Sequence, residues 1–402
     1  MLVAGVMITV ALVAGVLVWH RHTPPATKRN ESVNSSKSSP SQDFNTPPVP
    51  GTENVRAQPL FDANQVRHLS SDPAGTPAAI SPSQMRSGYS ISTAPNGSGT
   101  IAVIDAYDDP YIEQDLNTFS TAYSLRGCTF TSGCFEKHKM VAGSATADQG
   151  WAIETVLDTQ WAHAIAPNSR ILLVEAKSSL ISDLMNAVDY ARSRTDVVAI
   201  SMSWGSPEFN GETSYDNRLT TNRGVQFFAA AGDSGHGVWW PAAAPTVIGV
   251  GGTTLTLSGG TFQSETAWSS GGGGLSIFES EPAFQSIYGI AGAGGMRGTP
   301  DVSYDADSNP GVPIYTTQPF DSQNGWFTIG GTSAGTPQWA AIQAISRRVN
   351  LSRIYQEAAG PSYASYFRDI TSGSNGGCGA QCTAAVGYDY ITGLGSPLTT
   401  RF

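Results

Sequence analysis

Five stretches of unbroken apolar sequence divide the middle of the chain: 100–106 (TIAVIDA), 170–176 (RILLVEA), 197–204 (VVAISMSW), 225–232 (VQFFAAAG) and 246–252 (TVIGVGG). A strand with one wetted face would make every second residue polar, so continuous runs predict strands buried on both faces. Helical patterns at 151–165 and 181–193 separate them. Strands and helices in alternation predict an α/β fold, a parallel central sheet flanked by helices on both sides. No internal repeat interrupts this order. In such a sheet, reactive groups collect at the carboxyl ends of the strands, here Asp105, Trp204 and Asp233.

The flanks read differently. The apolar run from Leu2 to Trp19 reaches the lower limit for a membrane-spanning helix, about 18 residues, so 1–22 is expected to be a membrane anchor or signal segment. The basic residues Arg21, Lys28 and Arg29 follow it. From 23 to 80 the sequence is rich in Ser, Pro, Asn and Thr and is expected to be a disordered tether. A short helical entry at 81–89 (SPSQMRSGY) then opens a single domain over 81–402.

Composition narrows the function. A net charge of -10 with only 13% charged residues excludes the basic footprint of a nucleic-acid binder. The four cysteines fall in two close pairs, Cys128 with Cys134 and Cys378 with Cys382. Local pairs of this kind predict disulfides in an oxidising, extracytoplasmic compartment.

Three segments carry candidate chemistry. In WAIETVLDTQWAHAI (151–165), Glu154 and Asp158 stand four apart, on one helix face. On an exposed helix they would be an ordinary acidic face. Most neighbours here are apolar, which predicts a buried pair able to share a proton and act as a base. In GWFTIGGTSAGTPQWAAIQAI (325–345), a strand and a glycine turn lead into a helix at Ser333. Ser333 or Thr332 there is either a helix cap or, in Ser333, an exposed nucleophile. In FFAAAGDSG (227–235), Asp233 leaves an apolar strand, either as an Asx turn or as a desolvated carboxyl that stays protonated and donates to an oxyanion.

Gly331-Thr332-Ser333-Ala334-Gly335 also fits the nucleophile elbow of an α/β-hydrolase esterase, but such a triad needs a histidine after the serine. The six histidines all precede Ser333. His138, in a polar segment, and His163, near a helix end, are poor candidates for a subtilisin-type base.

Taken in order, IDAYDDP (104–110), the Glu-x-x-x-Asp helix at 154–158, AGDSG (231–235) and GTSAGTPQWAA (331–341) resemble the sedolisin family of serine-carboxyl peptidases. The resemblance implies a subtilisin-like fold and an acid-active endopeptidase acting on polypeptides. It makes Ser333 the nucleophile, Glu154 its base, Asp158 the partner of Glu154 and Asp233 the oxyanion donor, with Asp105 and Trp204 orienting Glu154. FRDITSG (367–373) and GYDYITGLGSP (387–397) resemble the family's calcium-binding segments. They imply a Ca2+ ion held by Asp369, Asp389 and carbonyls of Ile370, Ala385 and Gly387, oxygen ligands suited to a hard cation. Ala385 and Gly330 depart from the family pattern, and only a tether stands where these peptidases have a folded propeptide. The expected protein is a monomer attached to the membrane through its first segment, or secreted. A catalytically silent surface protein on the same fold is the rival reading.

Overall fold

The computed structural model describes residues 44–70, 79–92, 99–143, 145, 147–220 and 223–402. The chain opens with two short strands, β1 (Gln58–Pro59) and β2 (Arg67–Leu69), and helix α1 (Pro82–Gly88). Ser81 caps α1 in a capping box with Gln84, and Pro82 preorganises its first turn. There follow β3 (Thr100–Ala106), α2 (Ile112–Ala122), β4 (Phe135–Lys139), α3 (Gln149–Ile165), β5 (Arg170–Ala176), α4 (Ile181–Ser193), β6 (Val197–Met202), β7 (Trp204–Pro207), β8 (Gln226–Ala230), β9 (Trp239–Trp240), β10 (Val247–Ser258) and β11 (Thr261–Ala267). After these come β12 (Gly274–Ser280), α5 (Ala283–Tyr288), β13 (Met296–Thr299), β14 (Val302–Asp305), β15 (Val312–Phe320), β16 (Gln323–Ile329), α6 (Thr332–Ser346), α7 (Leu351–Ala359), α8 (Tyr363–Tyr366) and the paired strands β17 (Phe367–Arg368) and β18 (Ser396–Pro397).

The main sheet runs β11-β10-β8-β6-β3-β5-β4, with β14 also paired to β10. Every pairing in it is parallel except β10 with β11. The apolar runs explain it. On β3, Ile101 and Val103 enter one core while Ala102, Ile104 and Ala106 enter the other, and β5 alternates in the same way. Both faces of each strand are thus buried, and period-2 geometry needs no polar residue. Helices α3 and α6 pack against each other on one face, and α4 covers β3 and β5 on the other. The predicted parallel sheet with flanking helices is observed.

One boundary is corrected. Residues 44–70, within the expected tether, fold with the domain: β1 pairs antiparallel with β7, and β2 with β16. Leu60 and Ala57 are buried, and Thr52 bonds Tyr215. Sparse apolar residues suffice here because the backbone finds partners in strands already formed. The anchor expected at 1–22 and the rest of the tether before 44 lie outside the described residues. Among the described residues, no helix is long and apolar enough to cross a membrane.

Candidate active site

Helix α3 starts at Asp148, whose side chain accepts the Trp151 amide at 3.0 Å. Every residue from Trp151 to Ile165 is buried. A helix enclosed on all sides exposes no acidic face, so Glu154 and Asp158 are both removed from water. Helix α6 starts after β16 at Gly331, whose φ of 122° belongs to glycine. Gly331 has no side chain to cap α6, and the Thr332 amide is held instead by Asp233. Ser333 is therefore free of the capping role: its hydroxyl donates to the Ser203 carbonyl at 3.0 Å.

Four carboxyl groups surround this serine. Glu154 is buried with neither oxygen in a hydrogen bond. Desolvation pushes its pKa well above the usual carboxyl range, the charges of Asp158 and Asp105 add to this, and the neighbouring Ser333 hydroxyl pulls the other way. Asp158 is also raised, by desolvation and then by Asp105. One of its oxygens accepts from Ser203 Oγ at 2.6 Å and the other has no partner. Asp105, at the end of β3, has no partner on either oxygen and is pushed up to about 8 by burial and by Glu175, its neighbour in register on β5. Asp233 accepts from the amide and hydroxyl of Thr332 at 2.9 and 2.7 Å, through Oδ1 alone. Its Oδ2 is unpartnered, and burial raises the group to about 7. Glu154 and Asp233 are thus both raised, where the sequence reading set them apart.

Ser203 escaped the sequence reading. It links Asp158 to Ser333 but sits between two strands with no motif of its own. Trp204 is placed differently from the expectation: its indole donates to the Ile104 carbonyl at 2.8 Å, bracing the strand that carries Asp105. With its one N–H spent there, it has no hydrogen bond for Glu154. Three of the described histidines are engaged elsewhere. His163 is buried, bonds the Arg126 carbonyl and is lowered to about 4 by desolvation. His138 stacks on Tyr190, and His68 bonds the Asn324 carbonyl.

Near the C-terminus, Asp369 accepts the Gly387 amide at 3.0 and 3.1 Å and the Tyr363 hydroxyl at 3.2 Å. Asp389 accepts the Ile391 and Thr392 amides, the Thr392 hydroxyl and the Ala385 amide. Both acids therefore close on the 385–389 loop, while the Ile370 side chain packs with Ala267, Ala384 and Ile391. Two carboxylates and neighbouring backbone suit a hard cation in kind; the cation would replace amide and hydroxyl donors now on those oxygens. Both cysteine pairs are joined, Cys128 to Cys134 and Cys378 to Cys382.

A parallel sheet thus brings a serine at a helix start beside buried acids, the parts of a nucleophile and its base. The subtilase family model matches residues 139–359, and the chain belongs to that family. Within it the chain is of the sedolisin type. It is 29% identical to sedolisin of Pseudomonas sp. (strain 101), over 87% of this chain and 65% of that protein. It is 29% identical to kumamolisin of Bacillus sp. (strain MN-32), over 82% of this chain and 64% of that protein. The chain thus spans just under two thirds of the length of these relatives. The solved structure of Pseudomonas sedolisin, a serine-carboxyl proteinase bound to two molecules of pseudo-iodotyrostatin, superposes with a TM-score of 0.68. That match has 29% identity and covers 80% of this chain and 96% of the other.

Proposed function

We propose that this chain is an acid-active serine-carboxyl endopeptidase with Ser333 as nucleophile and polypeptides as substrates. The observation that carries the reading is Glu154: buried, without a hydrogen-bond donor, and beside the hydroxyl of Ser333. A structural acid in that position would be costly, because burying a carboxyl without partners forfeits its hydration. A proton acceptor for serine needs such free lone pairs.

In the proposed reaction Ser333 Oγ attacks the peptide carbonyl carbon and gives its proton to Glu154. The Ser333 amide and a protonated Asp233 hold the oxyanion. Glu154 returns the proton to the leaving nitrogen, and water then hydrolyses the acyl-serine by the same route. Asp158, Asp105 and Ser203 position Glu154 and share its charge. Repulsion raises the later ionisations of this cluster, so its first negative charge is available at lower pH than the rest. Glu154 must give up its proton while Asp233, raised to about 7, keeps its own, so activity falls as pH climbs through that value and the optimum lies on its acid side.

Asp369 and Asp389, with carbonyls of Ile370, Ala385 and Gly387, would hold Ca2+, whose charge would neutralise the two acids and tie the 385–389 loop to 369–370. The two disulfides favour an extracytoplasmic location, and the peptidase unit comprises 81–402 together with 44–70. The test is hydrolysis of casein at pH 4 by the purified chain, by Ser333→Ala and by Glu154→Gln. Clearing by the parent and by neither variant is expected; an active Glu154→Gln enzyme would overturn the assignment.

A further inference from the structure

The face of the main sheet that packs on α3 is apolar until its last row. Ile101 and Val103 of β3, Ile171 and Leu173 of β5 and Phe135 of β4 enter that core. Side chains alternate along a strand, so the same face next carries Asp105, Glu175, Lys137 and Lys139. Asp105 stands opposite Glu175 in register, and Glu175 opposite Lys139. Glu175 is fully buried, and the Lys137 side chain is only 11% exposed. The Lys137 ammonium lies 3.0 Å from Glu175 Oε1 and donates to Asp108 Oδ1 and the Asp109 carbonyl, each at 2.6 Å. The Asp109 amide donates to the same Glu175 oxygen at 2.9 Å. Glu175 Oε2 has no partner, nor has either oxygen of Asp105 beside it.

Two donors on one oxygen decide where a Glu175 proton sits. An oxygen that accepts both an ammonium and an amide has no room for a proton, so protonated Glu175 carries it on Oε2. Burial raises Glu175 to about 7, with Lys137 and the Asp109 amide opposing it, and Asp105 to about 8. Both are therefore protonated on the acid side of neutrality. Also facing the row are Glu154 and Asp158 from α3, Asp108 and Asp109 after β3, and Asp115 of α2 behind Asp109. Desolvation opposes it, but hydrogen bonds from Lys137 and Lys139 hold Asp108 below its usual range. Two ammonium groups thus face one carboxylate at acid pH, and the excess positive charge lies on the Glu175 side.

We propose that Glu175 and Lys137 are positioning residues for the reaction: Lys137 locks Glu175 with its proton toward Asp105, and Asp105 in turn donates its own to Glu154, placing the negative charge on the base of Ser333. This rests on the peptidase reading above and adds two residues to it, neither of which touches substrate. The chain of donors runs one way, from the ammonium through Glu175 and Asp105 to Glu154. A carboxylate that accepts a hydrogen bond ionises more readily, so the chain lowers the pH at which Glu154 becomes a base. Without it, a charge shared by three buried acids would reside for part of the time on Asp105 or Asp158, where it does nothing for Ser333.

The test measures kcat and KM of the purified chain on a fluorogenic peptide as a function of pH. Lys137→Met and Glu175→Leu break the chain of donors. Each should lower kcat at pH 4 about 10-fold or more, leave KM within about twofold, and move the acid limb of kcat/KM upward by about 0.5 pH unit or more. Glu175→Gln keeps the shape of the protonated acid, with a carbonyl for Lys137 and N–H groups for Asp105. It should recover most of the rate that Glu175→Leu loses, with an acid limb within about 0.2 pH unit of the parent's. Lys139→Met removes a cation from Asp108 but leaves Glu175 its two donors, so it should shift the limb less than Lys137→Met. A parent-like acid limb in both Lys137→Met and Glu175→Leu would make the pair a structural tie and overturn this proposal, with the peptidase reading left standing. Impairment of Glu175→Gln as deep as that of Glu175→Leu would also overturn it, since Glu175 would then act as an anion. A parent chain without Ser333-dependent hydrolysis overturns the peptidase reading and this proposal together.

Discussion

Two pairs of acids in this chain have the same chemistry and opposite surroundings: Glu154 and Asp158 are buried, as is Asp389, while Asp369 is half-buried. Asp389 has four N–H or O–H donors on its two oxygens, and Asp369 has a backbone amide and a phenol. Glu154 has no donor, and Asp158 has one, from Ser203. Burial raises Asp389 only to about 6, and its backbone donors oppose the rise, whereas Glu154 and Asp158 are raised well above their usual range. A saturated carboxylate binds loops together and has nothing left to give. An unsaturated one costs stability and keeps lone pairs for a proton. Mutating one pair should therefore abolish chemistry and spare the fold; mutating the other should do the reverse.

The largest effect expected is on turnover. Ser333→Ala and Glu154→Gln should each lower kcat by about 10⁴-fold or more on a fluorogenic peptide at pH 4, and combining them should add little, since groups that act as a unit are not additive. Asp233→Asn should lose less, up to about 10²–10³-fold. Its amide donates at every pH, so the alkaline limb of the rate profile should flatten. An unchanged alkaline limb would remove Asp233 from that role.

Stability should move in opposite directions at the two sites. At pH 7 the unfolded chain has Glu154 ionised, while the folded chain holds its proton or suffers its repulsion. Glu154→Gln removes that cost, so the melting temperature should rise at pH 7 and change little at pH 4. Asp389→Ala should lower it at both, because four donors lose their acceptor. EDTA should also lower the melting temperature if Ca2+ binds the folded chain alone; calcium-independent melting would remove the ion. For the whole molecule, Asp105 at about 8, Asp233 at about 7 and Asp115 at about 7 are all raised by desolvation. Acids raised on folding stabilise fully below their unfolded values near 4, and this is lost as pH climbs through the folded values. Calorimetry should show melting temperatures falling between about pH 4 and 8, and a rise over that range would contradict the assignment of these groups.

The contrast also explains what the sequence revealed. β3, β5, β6, β8, β10 and α4 were legible because each is a local pattern, and α4 spans 181–193 as expected, whereas β4, β11 and β14 of the same sheet carry no continuous apolar run and were not read. Glu154, Asp158 and Ser333 stand on helices and Asp233 follows a strand, elements whose pattern is clear in the sequence, and their proximity in the fold is what the proposed mechanism uses. The 44–70 segment was not. Its stability comes from backbone pairing with β7 and β16, far along the chain, and its few apolar residues give no period. Ser203 and the indole bond of Trp204 escaped for a related reason: each is defined by partners far away in the chain, Asp158 and Ser333 for the one and Ile104 for the other. Which acids are saturated with donors cannot be read from residue type, because the donors are mostly backbone amides set by loop geometry.

The smallest effect separates the two disulfides. Each closes a short loop, with sequence separations of 6 for Cys128–Cys134 and 4 for Cys378–Cys382. Loop entropy makes such links worth about 2 kcal/mol apiece. Cys128 and Cys134 belong to the main core with Phe135 and Ile171, so a double change to serine there also buries two hydroxyls, and its melting temperature should fall further. Cys378 lies in an exposed loop, although Cys382 is buried. The second link precedes the 385–389 loop, which carries Asp389 and donates the Gly387 amide to Asp369. Cys378→Ser with Cys382→Ser should therefore lower the melting temperature modestly and weaken protection of the Ala385 and Gly387 amides in hydrogen exchange. kcat at pH 4 should stay within about twofold, because the loop that carries Asp233 meets the disulfide loop at the His236 amide and Asn375 carbonyl, three residues beyond Asp233 itself. A change in kcat larger than the change in exchange would mean that the two acidic regions are coupled, and the division between a holding site and a reacting site would fail.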